Sequence, residues 1–137
     1  MIIGIGTDLV AIKRIEDILQ RMGPSFKNKI FTPREQEQAN TRPNSQQVAF
    51  YAKRFAAKEA TAKALGTGIG SSAGWQDIEI LSQPSGAPTL HLSGKALETA
   101  QKLAQKKGKT PNVSNLQIHL SLADDTFAQA FVVIETT

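Results

Sequence analysis

The chain has 137 residues, is 40% hydrophobic and 20% charged, contains no cysteine, and carries a formal net charge of +4 at pH 7. These values predict a single globular domain, 1–137, large enough to bury a core, and they exclude disulfides and thiolate metal sites. No apolar run approaches the roughly 20 residues that cross a bilayer, and the first residues lack the basic start of a secretory signal, so we expect a cytoplasmic protein without membrane contact.

The positive charge is concentrated in the first half of the chain. Residues 13–63 hold eleven Lys and Arg against five Asp and Glu, an excess of six positive charges. Such a segment predicts an anionic partner, whether a phosphate group, a nucleic acid or an acidic protein, although a solvated basic surface has the same composition.

The first predicted element is a strand over 1–7, whose side chains alternate between two faces. One face is expected to carry Ile3, Ile5 and Thr7, and the other Ile2, Gly4, Gly6 and Asp8. Because glycine has no side chain, the surface beside Asp8 is expected to be bare, so that a ligand could approach this carboxylate closely. Asp8 could equally be the N-cap of the following helix.

Three helices are expected next in the chain. The first has an apolar stripe and ends at Gly23 and Pro24; the stripe consists of Ile12, Ile15, Leu19 and Met22. The second begins with a capping box between Thr32 and Glu35, with Pro33 at its first position. The third runs from about residue 46 to residue 66 and ends in a glycine-rich segment.

The second half of the chain reads mainly as strands. Strands are expected over 78–81 and 89–92, with a turn at 85–88 between them. A helix follows from Ser93 to about Lys107, ended by Gly108 and Pro111, and the chain closes with an antiparallel hairpin that turns at 124–126. The fold class predicted is α+β.

Glu59 is the unusual residue of the third helix. At 100° per residue it falls in the centre of an apolar stripe formed by Val48, Ala52, Phe55 and Ala62. A carboxylate on a buried face must be paired, protonated or bound to a cation, because bare burial costs several kcal/mol. Lys63, four residues later, could form a simple helix ion pair with it, worth only about 0.2–0.5 kcal/mol.

A phosphate-binding site is the chemistry that these residues suggest together. Two carboxylates, Asp8 and Glu59, in a chain without cysteine favour a hard cation such as Mg²⁺, which proteins bind with one or two carboxylates plus phosphate oxygens. The segment GTGIGSS at 66–72 could cradle phosphate oxygens with its amides while Lys63 supplies charge. It follows a helix, so it is not a P-loop. The pattern favours phosphoryl-type chemistry on an anionic substrate.

Three segments resemble the motifs of a known family. They are GIGTDLVAIKRIE at 4–16, RFAAKEATAKALGTGIG at 54–70 and IHLSLADDTFAQAFVVIE at 118–135. They resemble the holo-acyl-carrier-protein synthases, the small bacterial class of 4′-phosphopantetheinyl transferases, and the likeness runs from end to end. Many members of that family carry a second histidine shortly after the one matched by His119, and Asp124 stands about there in this chain.

The resemblance implies a reaction and a fold. The reaction is Mg²⁺-dependent transfer of phosphopantetheine from coenzyme A to a serine of apo-acyl carrier protein, with release of adenosine 3′,5′-bisphosphate, in fatty acid biosynthesis. The fold is that of the 4′-phosphopantetheinyl transferases, an antiparallel sheet packed with a long helix and shorter helices. A homotrimer with active sites between subunits is also implied.

The resemblance further implies roles for individual residues. Asp8 and Glu59 would hold Mg²⁺, with water on the remaining positions, and these two residues with Lys63 form the catalytic group. The implied contacts with coenzyme A are Arg54, Lys63, Gly66, Thr67, Gly68, Pro88 and His119. Arg14 and Arg21, on a helix face expected to be remote from the phosphates, would meet the acidic carrier protein. The proton of the acceptor serine could pass to a water on the metal, to Glu59 itself or to bulk water.

Two other functions are considered beside this one. A non-catalytic module that binds nucleic acid or an acidic protein would explain the basic segment but not Glu59, and the chain has only one Tyr and one Trp for stacking on bases. A Mg²⁺-dependent hydrolase of nucleotide pyrophosphates would share the site but need no protein acceptor. We therefore expect coenzyme A and the carrier protein as partners, and no nucleic acid.

Overall fold

The protein has a long central helix with sheets and other helices packed around it. The computed structural model describes residues 1–108 and 116–136. The elements are β1 (Ile2–Ala11), α1 (Ile12–Ile30), α2 (Pro33–Asn40), α3 (Asn44–Leu65), a 3₁₀ turn (Trp75–Asp77), β2 (Ile78–Ser82), β3 (Pro88–Leu92), α4 (Gly94–Gly108), β4 (Leu116–Asp124) and β5 (Phe127–Thr136). This confirms the α+β class; Pro111, expected to follow α4, lies outside the described residues. Within the described ranges, no helix is both long and apolar enough to cross a bilayer.

Two antiparallel sheets flank α3. In the larger one β5 lies between β1 and β4, with Asp8 opposite Ala130 and Asp124 opposite Ala128. The smaller one pairs β2 with β3, as the sequence predicted. The helix α3 contacts both sheets and the other three helices, so residues along it can reach every side of the molecule.

The first helix does not end where the sequence predicted. Gly23 adopts a left-handed conformation (φ 40°) that interrupts the helix, but helical structure resumes through Ile30. Pro24 is compatible with this because the first positions of a helical segment need no N–H bond. Phe26 and Ile30 are buried in the resumed segment, whereas Met22 of the predicted apolar stripe is 52% exposed.

A bulge in β1 changes the predicted faces of this strand. The pairing with β5 shifts between Ile2 and Gly4, so one residue is inserted into the alternation. Ile3 is therefore buried, whereas Ile5 and Thr7 point away from the core. The prediction that Ile3 shares a face with Ile5 is wrong, because a one-residue shift moves a side chain to the other side of a sheet.

The glycines of β1 lie against the backbone of α3. A Cβ atom on Gly6 would stand 1.8 Å from the carbonyl oxygen of Ala60, and one on Gly4 would stand 2.1 Å from that of Ala64. The bare surface predicted beside Asp8 is therefore covered by the protein's own helix and is not open to a ligand. This close approach places the second half of β1 directly beside the last turns of α3.

The helix α3 is buried on nearly all sides, which corrects the prediction of a single apolar stripe. Ala52, Phe55 and Ala62 are buried, but so are alanines on the other faces, including Ala57 and Ala60. Glu59 is only half-buried and Lys63 is exposed. The side that carries these two charged residues is thus the most open side of the C-terminal half of α3.

Candidate active site

Asp8, Glu59 and Lys63 come together where β1 passes the end of α3. The ammonium of Lys63 donates hydrogen bonds to Asp8 Oδ1 at 3.1 Å and to the carbonyl of Thr7 at 3.0 Å. Lys63 therefore pairs with Asp8 and does not form the helix ion pair considered for Glu59. Asp8 is not an N-cap either, because it lies within β1 and the N-cap of α1 is Ala11, without a side-chain bond.

Glu59 is a half-buried carboxylate whose pKa depends on the charges around it. It forms no ion pair within the described residues. Burial raises its pKa, and the negative charge of Asp8 raises it further, while Lys63 and Arg14 oppose these effects. Asp8 and Glu59 are thus close enough to repel each other, and a cation between them would relieve this repulsion.

The donor set formed by Asp8 and Glu59 fits Mg²⁺. Both side chains offer oxygen ligands, which a hard cation prefers. Among the described residues no group of three or more His, Cys, Asp or Glu side chains is gathered as a metal site. Two carboxylates suffice for Mg²⁺ when phosphate oxygens and water complete its octahedron. The residues therefore fit a metal bound jointly by protein and substrate.

The first residues of the glycine-rich segment after α3 use their amides to close the end of the helix. Gly66 adopts a left-handed conformation (φ 82°) and ends the helix. The N–H groups of Gly66, Thr67 and Gly68 all donate to carbonyls of the last turn of α3. These three amides therefore complete the helix end, and the Thr67 hydroxyl donates to the carbonyl of Gly68 at 3.0 Å.

Arg54 and Pro88 lie together in a second place, a cavity of about 420 Å³ between α3 and β3. The guanidinium of Arg54 is almost fully buried and donates to Ser82 Oγ at 2.7 Å. The carboxylate of Asp124 borders the same cavity and pairs with Lys53 at 3.1 Å.

His119 lies on the outer surface of β4. Its Nε2 atom is 2.8 Å from Glu135 Oε1, and it borders a further cavity of about 440 Å³ that also contacts Pro88. Neither this cavity nor the one at Arg54 is lined by Asp8, Glu59 or Lys63. The predicted site residues therefore fall into two separate groups. We call Asp8, Glu59 and Lys63 the carboxylate group, and we call Arg54, Pro88 and His119 the nucleotide group after the role predicted for them.

Arg14 and Arg21 are both exposed on α1, and neither forms an ion pair among the described residues. The guanidinium carbon of Arg14 lies 5.9 Å from the centre of the Phe55 ring, and its charge lowers the pKa of Glu59. Arg14 therefore lies near Glu59, because α1 starts directly after β1, although its helix face was expected to be remote from the phosphates.

Lys58 is an important residue that the sequence reasoning missed. It is fully buried, and its ammonium donates to Glu35 Oε1 at 2.8 Å and to the carbonyls of Trp75 and Ile78. Glu35 Oε2 in turn accepts from the Ile80 amide at 2.9 Å. This network joins α2, α3 and β2. The sequence feature that could have indicated the role of Lys58 is its position among the alanines of α3, next to Glu59.

Comparisons with known proteins assign the chain to a family. Residues 4–123 match the model of the 4′-phosphopantetheinyl transferase superfamily. A holo-[acyl-carrier-protein] synthase of Brucella ovis is 49% identical over 136 residues, which cover 98% of this chain and 96% of the relative.

Solved structures of similar proteins agree with this assignment. A synthase of the same kind from Neisseria meningitidis is 38% identical, with a TM-score of 0.79 over 99% of this chain and all of that one. One from Bacillus anthracis, in complex with CoA (3′,5′-ADP), is 35% identical, with a TM-score of 0.78 over 100% of this chain and 99% of that one. Because sequence and fold agree over nearly the whole length, the chain belongs to the 4′-phosphopantetheinyl transferase superfamily, among its holo-[acyl-carrier-protein] synthases.

Proposed function

We propose that this enzyme transfers 4′-phosphopantetheine from coenzyme A to a serine of apo-acyl carrier protein, releases adenosine 3′,5′-bisphosphate and requires Mg²⁺. The observation that carries the proposal is the meeting of Asp8, Glu59 and Lys63 in a chain of this family. The complex of the Bacillus anthracis synthase with CoA (3′,5′-ADP) supports the donor. The reaction would serve fatty acid biosynthesis in the cytoplasm.

Asp8 and Glu59 would hold Mg²⁺ against the pyrophosphate of coenzyme A. When bound, the ion would supply Lewis-acid neutralisation of the charge that develops as the carrier serine attacks the β-phosphorus. Lys63 contacts Asp8 Oδ1 in this structure, so its ammonium lies beside the oxygens that would hold the cation. We assign this ammonium to a phosphate oxygen of the donor, where it would neutralise charge as well.

The helix α1 is proposed to receive the carrier protein. Lys13 on this helix pairs with Glu16 and Asp17, at 3.7 and 3.3 Å, whereas Arg14 and Arg21 form no ion pair in the part of the chain that the structure describes. Arg14 lies close enough to Glu59 to affect its pKa. A carrier bound along this side would therefore bring its serine near the carboxylate group, and an acidic carrier surface would match the two free arginines.

A homotrimer with shared active sites is also part of the proposal. The outer face of β1 and β5 exposes Ile5, Leu9, Phe127 and Phe131, each between 45% and 61% exposed. Phe131 stands opposite Thr7 in the strand pairing, between Ile5 and Leu9, so these apolar side chains adjoin. A patch of this kind is typical of a protein interface. The number of subunits rests on the family resemblance alone.

Shared sites would also explain why the predicted residues fall into two groups. The carboxylate group lies toward the end of α3, and the nucleotide group lies at the middle of α3 and on β3 and β4. A nucleotide-sized ligand could contact both groups if one subunit supplied Asp8, Glu59 and Lys63 and its neighbour supplied Arg54, Pro88 and His119. A cleft between subunits would then bury the ligand.

One assay tests the reaction. The enzyme is incubated with coenzyme A, Mg²⁺ and apo-carrier protein, and the carrier is weighed by mass spectrometry; the control is a carrier whose acceptor serine is replaced by alanine. We expect the carrier to gain one phosphopantetheine, and the control carrier and a chelator-treated sample to gain none. Cleavage of coenzyme A without modification of the carrier would support the hydrolase instead, and the absence of both would overturn enzymatic use of coenzyme A.

A further inference from the structure

The 3₁₀ turn before β2 lies among three helices, and each of its residues contacts a different one. The ring of Trp75 stacks on the ring of Phe55 in α3, with the two centres 5.2 Å apart. The side-chain amide of Gln76 reaches the end of α1. Asp77 Oδ2 accepts from the backbone amide of Ala96 in α4 at 3.4 Å. The turn is therefore a point at which α1, α3 and α4 are joined.

Gln76 contacts carbonyl groups at the end of α1. Its Nε2 atom donates to the carbonyl of Asn28 at 2.6 Å and to that of Phe31 at 3.3 Å. The last carbonyls of a helix have no partner within the helix, so a donor from another element can fix that end. Gln36 of α2 also donates to the Phe31 carbonyl, at 3.1 Å. The end of α1 is thus attached to the turn and to α2.

Lys58 holds the turn from the side of α3. Its ammonium donates to the carbonyls of Trp75 and Ile78, at the two ends of the turn, and its third bond goes to Glu35. An ammonium has three N–H donors, so all of them are used within the protein. Because Lys58 is also fully buried, it cannot contact the donor or the carrier. Any effect of Lys58 on the reaction therefore acts through the residues that it holds.

The rest of α1 packs against the same part of the molecule. The guanidinium carbon of Arg14 lies 5.9 Å from the centre of the Phe55 ring, and the ring of Phe26 lies 6.3 Å from it. Between these two residues Gly23 interrupts the helix with a φ of 40°. One continuous set of helix hydrogen bonds therefore does not align the two segments of α1. Their orientation depends on the residues packed against them, which include Phe55 and the turn.

We propose that Lys58 and Gln76 are positioning residues that hold α1 in the orientation in which it meets the carrier protein. Lys58 fixes the turn, and Gln76 fixes the end of α1 to the turn. The inference rests on the proposed function, which assigns carrier docking to α1 beside Glu59. The direction of this helix matters because a misplacement of about 1 Å, even far from the reacting atoms, can cost about 100-fold in rate.

Gln76→Met tests the link to α1. Methionine has a similar length but no N–H donor, so the bonds to α1 are lost while the backbone contacts of the turn with Lys58 stay. We expect the KM for the carrier to rise about three- to tenfold, the range that one or two lost hydrogen bonds explain, and the KM for coenzyme A to change less than about twofold. Hydrogen exchange of the amides of 24–30 should also be faster. Gln105→Met, at an exposed glutamine of α4, is the matched control and should change none of these.

A double variant separates positioning by Lys58 from neutralisation of Glu35. Lys58→Met alone leaves Glu35 as an unpaired buried carboxylate, which by itself destabilises the fold. Lys58→Met combined with Glu35→Gln removes both charges, yet the carbonyls of Trp75 and Ile78 still lose their donor. We expect the double variant to melt at a higher temperature than Lys58→Met but to keep a raised KM for the carrier. The fluorescence of Trp75, the single tryptophan, should shift in both variants because its ring moves relative to Phe55.

The outcomes for α1 and for the proposed reaction differ. A normal KM for the carrier in Gln76→Met or in the double variant would overturn the positioning role and leave the reaction standing. An equal rise of both KM values would also overturn it, because a general loss of structure has that effect. If the unaltered enzyme modified no carrier, the proposed reaction would fall. Faster exchange of 24–30 in Gln76→Met would then still support the attachment of α1 to the turn, and unchanged exchange would overturn it.

Discussion

Asp8 and Glu59 hold two negative charges close together, and Lys63 contacts one of them only. The ammonium of Lys63 is bonded to Asp8, so Glu59 keeps a raised pKa caused by burial and by its carboxylate neighbour. In the absence of a cation this arrangement is unfavourable for the folded protein at neutral pH. The same arrangement favours binding of a divalent cation, and both consequences can be measured.

Glu59→Gln should remove Mg²⁺-dependent turnover while leaving the fold intact. An amide is a neutral and poorer ligand for a hard cation than a carboxylate. Turnover measured against Mg²⁺ concentration should show a loss of activity that added Mg²⁺ does not restore. Near-normal turnover in Glu59→Gln would rule out a metal-binding role for this side chain.

Glu59→Gln should also stabilise the metal-free protein at pH 7 and not at pH 4. A carboxyl group whose pKa is raised by folding loses its proton more readily in the unfolded chain, so its ionisation favours unfolding as the pH rises. The variant lacks this ionisation, and its advantage should disappear where the carboxyl group is protonated in both states. Thermal unfolding in the presence of a chelator measures this; Glu37→Gln, at an exposed carboxylate of α2, serves as control. A lower melting temperature at pH 7 would contradict the prediction.

Arg21→Glu should weaken binding of the carrier protein without affecting coenzyme A. Arg21 is exposed on α1, and reversing its charge turns attraction for an acidic carrier into repulsion. We expect the KM for the carrier to rise about tenfold at low salt and less at high salt, because salt screens exposed charges. Lys102→Glu, on α4, is the matched charge reversal and should change neither KM. Equal increases of both KM values in Arg21→Glu would refute the docking face.

Two elements, β1 and α3, form the carboxylate group through an unusually close contact. Gly4 and Gly6 allow the carbonyls of Ala64 and Ala60 to approach the strand where any side chain would collide. Asp8, two residues after Gly6, therefore faces the last turns of α3. The distance between these two elements decides whether Asp8 and Lys63 meet.

Gly6→Ala should destabilise the fold and reduce activity beyond the loss of folded protein. The added methyl group would stand 1.8 Å from Ala60 O, so the strand and the helix must separate. We expect a loss of about 3 kcal/mol or more in the free energy of unfolding, at or above the upper end for overpacked sites. Gly70→Ala is the control because nothing lies within 4 Å of its added atom, and it should cost less than about 0.5 kcal/mol. Denaturant unfolding measures both variants; similar losses would contradict the assigned contact.

The whole molecule presents an apolar sheet face and two separate groups of predicted site residues. The apolar face of β1 and β5 supports contact with another copy of the chain, and the separation of Arg54 from Glu59 supports sites completed across that contact. In a closed ring of identical contacts, each subunit would supply its carboxylate group to one site and its nucleotide group to the neighbouring site.

Mixing two inactive variants should restore activity if the sites are shared. Glu59→Gln and Arg54→Gln are dissociated, mixed in equal amounts and reassembled. About a quarter of the sites should then pair an intact Glu59 with an intact Arg54 from the neighbour, since each side is intact in half of the subunits. Recovered turnover near that fraction is expected, and each variant reassembled alone is the control. A monomer by light scattering, or no recovery from mixed oligomers, would contradict shared sites.

Local signals in the sequence determined most of the elements. The capping box of Thr32 and Glu35 is present as predicted, because a cap depends on residues within one turn. Gly66 ends α3 in a left-handed conformation for the same kind of reason. The C-terminal hairpin predicted from the sequence is likewise present, as the antiparallel pair of β4 and β5. The motifs that resemble the family were also local, and they led to the correct superfamily.

Only the tertiary structure decided which charges meet. The sequence placed Lys63 one helical turn from Glu59, yet it pairs with Asp8, 55 residues away, because β1 lies against α3. That packing also hid the glycine surface predicted to be open, and the packing of α2 and β2 against α3 buried Lys58 with Glu35, 23 residues apart in the chain. Arg42 and Arg54 both donate to the Ser82 hydroxyl, and no spacing in the sequence indicated this shared contact. Helix periodicity describes one element at a time, whereas the burial and pairing of a charge depend on every element packed around it.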